Sequence, residues 1–176
     1  MRKTSILPYS FYPDLDTDVV CLPYADGALC MTLLLERSPS PSFPALTPDN
    51  LCGFIHGTRD RLVSLQLPKF GVDSSIELGE LLAGLAHDLA DDTCRLQFRH
   101  AHQETHISVA EGDWHGACAQ RPTFSGSPVT VVFDKPFYFV ITDRTRDVIL
   151  YVGRVTSLGK ETARVPADRT RTRSCF

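Results

Sequence analysis

His100, His102, Glu104 and His106 alternate along the chain, so on a β-strand they share one face and offer a metal such as zinc three imidazoles and a carboxylate. Strand residues two apart stand roughly 7 Å from each other, further than adjacent zinc ligands tolerate without a bulge. A solvated strand face asks for nothing more, and neither a metal nor any other cofactor is expected. The six cysteines, Cys21, Cys30, Cys52, Cys94, Cys118 and Cys175, include no Cys-x-x-Cys pair, which argues against a zinc–sulfur framework. Most are expected to be free thiols, because the start of the chain shows no export signal. Serine, histidine and aspartate all occur, but no Gly-x-Ser-x-Gly elbow positions a nucleophile. Catalysis is therefore the least supported class, and the chain is not expected to be an enzyme. Arg169, Arg171 and Arg173 form a solvated charge run, and Cys175, second from the end, does not make a prenylation box.

The elements that must position any site are those of one domain. The 176 residues are 43 % hydrophobic and 22 % charged, enough for a single buried core and a squeeze for two. A formal net charge of −3 supplies no basic field for nucleic acid or an anionic membrane. No window approaches the roughly 18 apolar residues of a membrane span. The opening Met1-Arg2-Lys3-Thr4-Ser5-Ile6-Leu7-Pro8 meets a proline before a signal-like core develops. No compartment is assigned on this basis.

Two apolar runs, Val19-Val20-Cys21-Leu22 and Leu29-Cys30-Met31-Thr32-Leu33-Leu34-Leu35, flank Pro23-Tyr24-Ala25-Asp26-Gly27, a hairpin signature. Being apolar on both alternating faces, the hairpin must be covered on both sides. The proline-rich stretch 38–44 is a surface connection. Thr47-Pro48-Asp49-Asn50 opens a helix that Gly57 stops. Val63, Leu65 and Leu67 alternate with polar residues as a half-buried strand, and Pro68 interrupts it. Ser74-Ser75-Ile76-Glu77 fits a capping box ahead of leucines 78, 81, 82, 85 and 89 at helical spacing, which predicts a helix from Ser74. A strand follows at 129–133 and an aromatic-rich hairpin at 137–152. The basic end, 159–176, reads as a disordered tail.

Four blocks in order resemble the serpin family of protease inhibitors. They are the hairpin carrying Pro23 and Tyr24, the turn Leu67-Pro68-Lys69-Phe70, Phe133-Asp134-Lys135-Pro136-Phe137-Tyr138-Phe139, and Val152-Gly153-Arg154-Val155. The resemblance covers residues 14–158, with 1–13 as an N-terminal extension. It implies an α+β, β-rich single domain like the C-terminal half of a serpin. That half comprises the B-sheet core, part of the C sheet, two or three helices, and two A-sheet strands, one leading into Phe70 and one containing His106.

In such a protein the segment after His106 is the hinge and reactive loop, and cleavage lets the loop insert into the A sheet. By this resemblance Trp114, Gly116, Ala117 and Ala119 are hinge positions. Arg121, Pro122, Thr123, Phe124, Ser125 and Gly126 are the candidate protease-contacting loop. The chain departs from the inhibitory pattern here: Trp114 replaces a glutamate, and Arg121 and Pro122 interrupt a run of small residues. Proline removes a ladder donor and an inward charge is costly, so both oppose insertion as a central strand. The remaining A-sheet strands have no counterpart in these residues. The resemblance thus implies a protease-inhibitor-like protein that does not trap by loop insertion. The alternative is a non-inhibitory modulator that adds a strand to, or docks a loop on, a full-length serpin or a protease. The partners implied are a serine or cysteine protease or a full-length serpin, or a second copy through an exposed strand edge; nucleic acid and membrane are not among them.

Overall fold

The computed structural model describes residues 1–25, 27–38, 47–79, 82, 101–110 and 126–156. Nine strands and one α-helix are assigned among them: β1 (Arg2–Tyr12), β2 (Thr17–Pro23), β3 (Leu29–Glu36), α1 (Pro48–His56), β4 (Arg59–Gln66), β5 (Phe70–Glu77), β6 (His102–Val109), β7 (Val129–Val132), β8 (Phe137–Asp143) and β9 (Val148–Val155). They form a seven-stranded sheet in the order β7-β4-β1-β2-β3-β8-β9 and a two-stranded sheet of β5 and β6. The architecture is strand-rich α+β, as the sequence implied.

The hairpin is where its residues put it. β2 and β3 pair antiparallel from Thr17↔Glu36 to Pro23↔Cys30, and the left-handed Gly27 (φ 71°) closes the turn, a conformation glycine adopts without a Cβ clash. Both strands are buried on both alternating faces. One face joins the main core, where Val20, Leu22, Leu33 and Leu35 meet Phe137, Phe139, Val63 and Leu65. The other packs Val19, Leu34 and Val140 against Phe54 of α1. That helix starts as its sequence requires: the Asn50 N–H donates to the Thr47 hydroxyl at 3.3 Å, and Pro48 sits in the first turn.

Four expectations are corrected. Residues 2–12, read as part of an extension, are strand β1. It pairs with β4 from Arg2↔Gln66 to Tyr9↔Arg59 and with β2 from Tyr9↔Val20 to Tyr12↔Thr17. Only Tyr9 has strand partners on both sides, so Pro8 stands where β1 has a neighbour on one side, a setting that tolerates proline. Ser74–Glu77 do not cap a helix; they pair with residues 102–105 as the second half of β5. The first helical hydrogen bond comes later, from the Leu82 N–H to the Leu78 carbonyl at 2.9 Å, and the remaining helical positions lie outside the described residues. The strand leading into Phe70 is β4 of the large sheet, and the two-stranded sheet begins at Phe70 itself. Cys21 and Cys30, read with the free thiols, are joined as a disulfide with a Cα–Cα distance of 6.4 Å. The register Pro23↔Cys30 leaves Cys21 diagonal to Cys30 on the same face, within the span of such a bond.

Candidate functional site

In sequence the candidate loop runs between two described strands. At its start, Val109 ends β6, pairs with Phe70 of β5, and is buried in the main core. At its end, β7 lies parallel to β4, from Val63↔Val129 to Gln66↔Val132. Trp114, Gly116, Ala117, Ala119, Arg121, Pro122, Thr123, Phe124 and Ser125 lie outside the described residues; Gly126 is described and exposed.

Residues of all four blocks converge on the main core. Phe70 sets its ring edge-on to Phe137, with centroids 5.3 Å apart, and lies tilted against Phe139 at 6.0 Å. Phe133 meets Phe137 edge-on at 5.0 Å. Such edge-to-face pairs add to the area that the rings bury. This aromatic cluster joins the start of β5 to the strands β7 and β8 on either side of Pro136. Leu67 is buried beside it, donating its N–H to the Met1 carbonyl at 3.0 Å. The N-terminal ammonium of Met1 donates in turn to the Leu67 carbonyl at 2.8 Å. Pro68 and Lys69 form the bend between β4 and β5. Tyr24 holds the hairpin turn by donating its N–H to the Leu29 carbonyl at 3.0 Å. Gly153 faces Phe139 across the β8–β9 pair.

The histidines of β6 line up on one face of the two-stranded sheet, as alternation demands. Each faces a carboxylate across the register, His106 opposite Asp73 and His102 opposite Glu77. His106 Nδ1 bonds Asp73, and His102 Nδ1 bonds Glu77 Oε1 at 3.0 Å, with its Nε2 3.3 Å from Glu104 Oε1. Among the described residues, no three His, Cys, Asp or Glu side chains gather into a metal site; His100 lies outside them. The imidazoles instead form an exposed imidazole–carboxylate ladder.

Glu104 and then Glu77 raise the His102 pKa above 6.5. A raised folded-state value means that the favourable contribution is fully present below about pH 6.5 and fades as pH climbs through the folded pKa. Nitrogen-15 or carbon-13 titration of the ring should give a midpoint above the ordinary histidine value, and Glu104→Gln should pull it down. A midpoint indifferent to that substitution would remove Glu104 as the cause.

A second charged cluster left no motif in the sequence. Asp18 is buried, accepting a hydrogen bond from the Tyr9 hydroxyl at 2.7 Å and a two-pronged contact from Arg37 at 2.7 and 2.8 Å. Burial, and then Asp18, push the Tyr9 pKa up to about 12. Arg37 also lies over the Phe11 ring at 4.0 Å.

A family model described as Serpin (serine protease inhibitor) matches residues 1–158. The chain belongs to the serpin family. It is similar to Iripin-2 of Ixodes ricinus, 29 % identical over 180 residues that cover 90 % of this chain and 44 % of the relative. It is also similar to Serine protease inhibitor 42Dd of Drosophila melanogaster, 32 % identical over 89 % of this chain and 45 % of the relative. Among solved serpins, SRPN18 of Anopheles gambiae superposes with a TM-score of 0.68 at 22 % identity, covering 89 % of this chain and 45 % of that one. Serpin48 of Tenebrio molitor gives 0.67 at 25 % identity, with 90 % and 46 % covered. The chain thus spans about half the length of the serpins it matches, and its fold is a partial serpin fold.

Proposed function

We propose that this serpin chain is protease inhibitor-like in its target class but does not trap: residues 117–128 occupy a protease site reversibly, without inserting after cleavage. One observation carries the reading. Insertion requires a slot with a strand on each side, and β6 has β5 on one side and no strand on the other among the described residues. The loop's own sequence agrees, because Arg121 and Pro122 suit an exposed, protease-facing segment better than a central strand. Gly116, Ala117 and Ala119 have the small side chains that a hinge needs, and Trp114 before them with Arg121 and Pro122 after them is proposed to keep the loop from swinging into the sheet.

The test is incubation with a panel of serine and cysteine proteases, followed by denaturing electrophoresis and mass spectrometry. The expected result is competitive inhibition or simple cleavage within 117–128, and no adduct that survives denaturation. A denaturation-resistant adduct would overturn the reading.

That only β5 pairs with β6 among the described residues favours a second reading, in which the chain lends or borrows a strand and so modulates a full-length serpin. Titrating it into a serpin–protease reaction should then change the inhibition rate, and an unchanged rate would remove this reading.

A further inference from the structure

Among the described residues, the two-stranded sheet packs on the main core at one end. Phe70, Val72, Ile107 and Val109 lie on or within that core, and Phe70 pairs with Val109. At the other end Glu77 pairs with His102, and the Leu78 N–H donates to the Ala101 carbonyl at 2.7 Å. Ile76, which alternation places on the same face as Val72, is 45 % exposed there. Two strands alone are marginal in water, so at this open end the side-chain ties across the ladder decide how firmly the strands stay together.

His102 makes those ties, and its two nitrogens are not satisfied in the same way in both protonation states. Nδ1 lies 3.0 Å from Glu77 Oε1 on β5. Nε2 lies 3.3 Å from Glu104 Oε1 on its own strand and 3.3 Å from the Ser75 hydroxyl on β5. Only the imidazolium carries a proton on both nitrogens, so only the cation donates to both carboxylates at once. The neutral ring keeps one N–H. With that proton given to Glu77, the Nε2 lone pair faces a carboxylate oxygen; the contact is relieved when Nε2 accepts from Ser75 and Glu104 turns away into solvent. The other charged groups on this face are Asp73 of β5 and His106 of β6, bonded to each other. No further charged group among the described residues pairs with any of them. Deprotonation of both rings therefore leaves Asp73, Glu77 and Glu104 on one face without a cation, and like charges across a ladder oppose pairing.

We infer that His102 is a pH-operated clasp on the open end of the β5–β6 pair: as imidazolium it ties Glu77 and Glu104 and closes that end, and as the neutral ring it releases Glu104 and lets the end fray. β6 leads in sequence to the candidate loop, so acid stiffens and mild alkali loosens the strand that precedes it. The inference concerns the β5–β6 pair alone and stands whether or not the reversible-loop reading holds.

Hydrogen exchange on the full chain, corrected for the intrinsic pH dependence of amide exchange, tests it. Between about pH 5.5 and about pH 8.5, which bracket histidine titration, protection over 74–78 and 101–105 should fall about threefold to fivefold, the scale of an exposed ion pair. Residues 70–72 and 107–109, at the core end, should change less. His102→Gln, neutral at every pH, should remove the fall. Ser75→Ala should leave protection in acid unchanged and lower it in alkali, because it takes away the partner of the neutral ring. His106→Gln should leave most of the fall in place. All three positions are exposed, so the variants keep the core intact. Protection at the open end that is indifferent to pH would overturn the inference. So would a fall no larger there than at the core end, one that persists in His102→Gln, or one that His106→Gln alone abolishes.

Discussion

Gly153→Ala should destabilise the protein by about 1–3 kcal/mol, the range for overpacking a filled core. A Cβ built at Gly153 would stand 2.2 Å from Cζ and 2.5 Å from Cε1 of Phe139, the residue opposite it in β8. Swinging the ring aside is not free. Phe139 is 1 % exposed and lies against Phe70 at 6.0 Å, so any shift propagates into the aromatic cluster that joins β5 to the large sheet. For a chain of this size each kcal/mol lowers the melting temperature by roughly 2–4 °C, which calorimetry resolves easily. Phe139→Leu has its own cost, but it removes the atoms that clash. The double variant should therefore lose less than the two single variants together, a coupling read from the thermodynamic cycle. Full additivity would show that the contact is not what excludes a side chain at Gly153.

Much of this architecture was legible because local and tertiary demands coincide. The Asp-Gly turn between two apolar runs could only be a buried hairpin, and Thr47-Pro48 could hardly open anything but a helix. The errors arise where the two diverge. Ser74 and Glu77 have capping-box spacing, but the same residues alternate across β5, and their pairing with β6 supplies hydrogen bonds along the whole segment. Pro8 reads locally as a break, whereas β1 passes from one neighbour to the next at that point and loses little by it. Of the candidate site, Phe70, Phe133 and Phe137 were visible as motif residues, and the structure adds that they touch. Asp18 was invisible: nothing in its surroundings in the sequence announces that Tyr9 and Arg37, 9 and 19 positions away, will converge on it. The exposure of Val148 to Val152 in β9 is not legible in the sequence, where an apolar run without alternation reads as a buried strand.

Asp18→Ala should cost the most of any single polar substitution, roughly 2–4 kcal/mol. The Asp18 side chain is 5 % exposed, while Arg37 is 47 % exposed. Removing the carboxylate therefore strands the Tyr9 hydroxyl more severely than the guanidinium, which water can still reach. Asp18→Asn retains an oxygen for the tyrosine and loses the charge, so its penalty should be distinctly smaller. Tyr9→Phe removes only the donor and should cost about 0.5–1.5 kcal/mol, with most of that penalty vanishing in the Asp18→Ala background.

The alkaline limb gives an independent readout. With the Tyr9 pKa raised from 10.0 to about 12, its contribution is intact below pH 10 and is lost as pH rises through 12. Asp18→Ala should shift part of the tyrosinate absorbance change to lower pH. The consequence reaches the turn from β7 to β8, because the Lys135 ammonium there donates to the Arg37 and Glu36 carbonyls. Loosening Arg37 should therefore raise amide exchange in β7 and its turn before the hairpin core opens. Exchange that rises in the hairpin and β7 together would mean that Asp18 supports the whole sheet and not this corner of it.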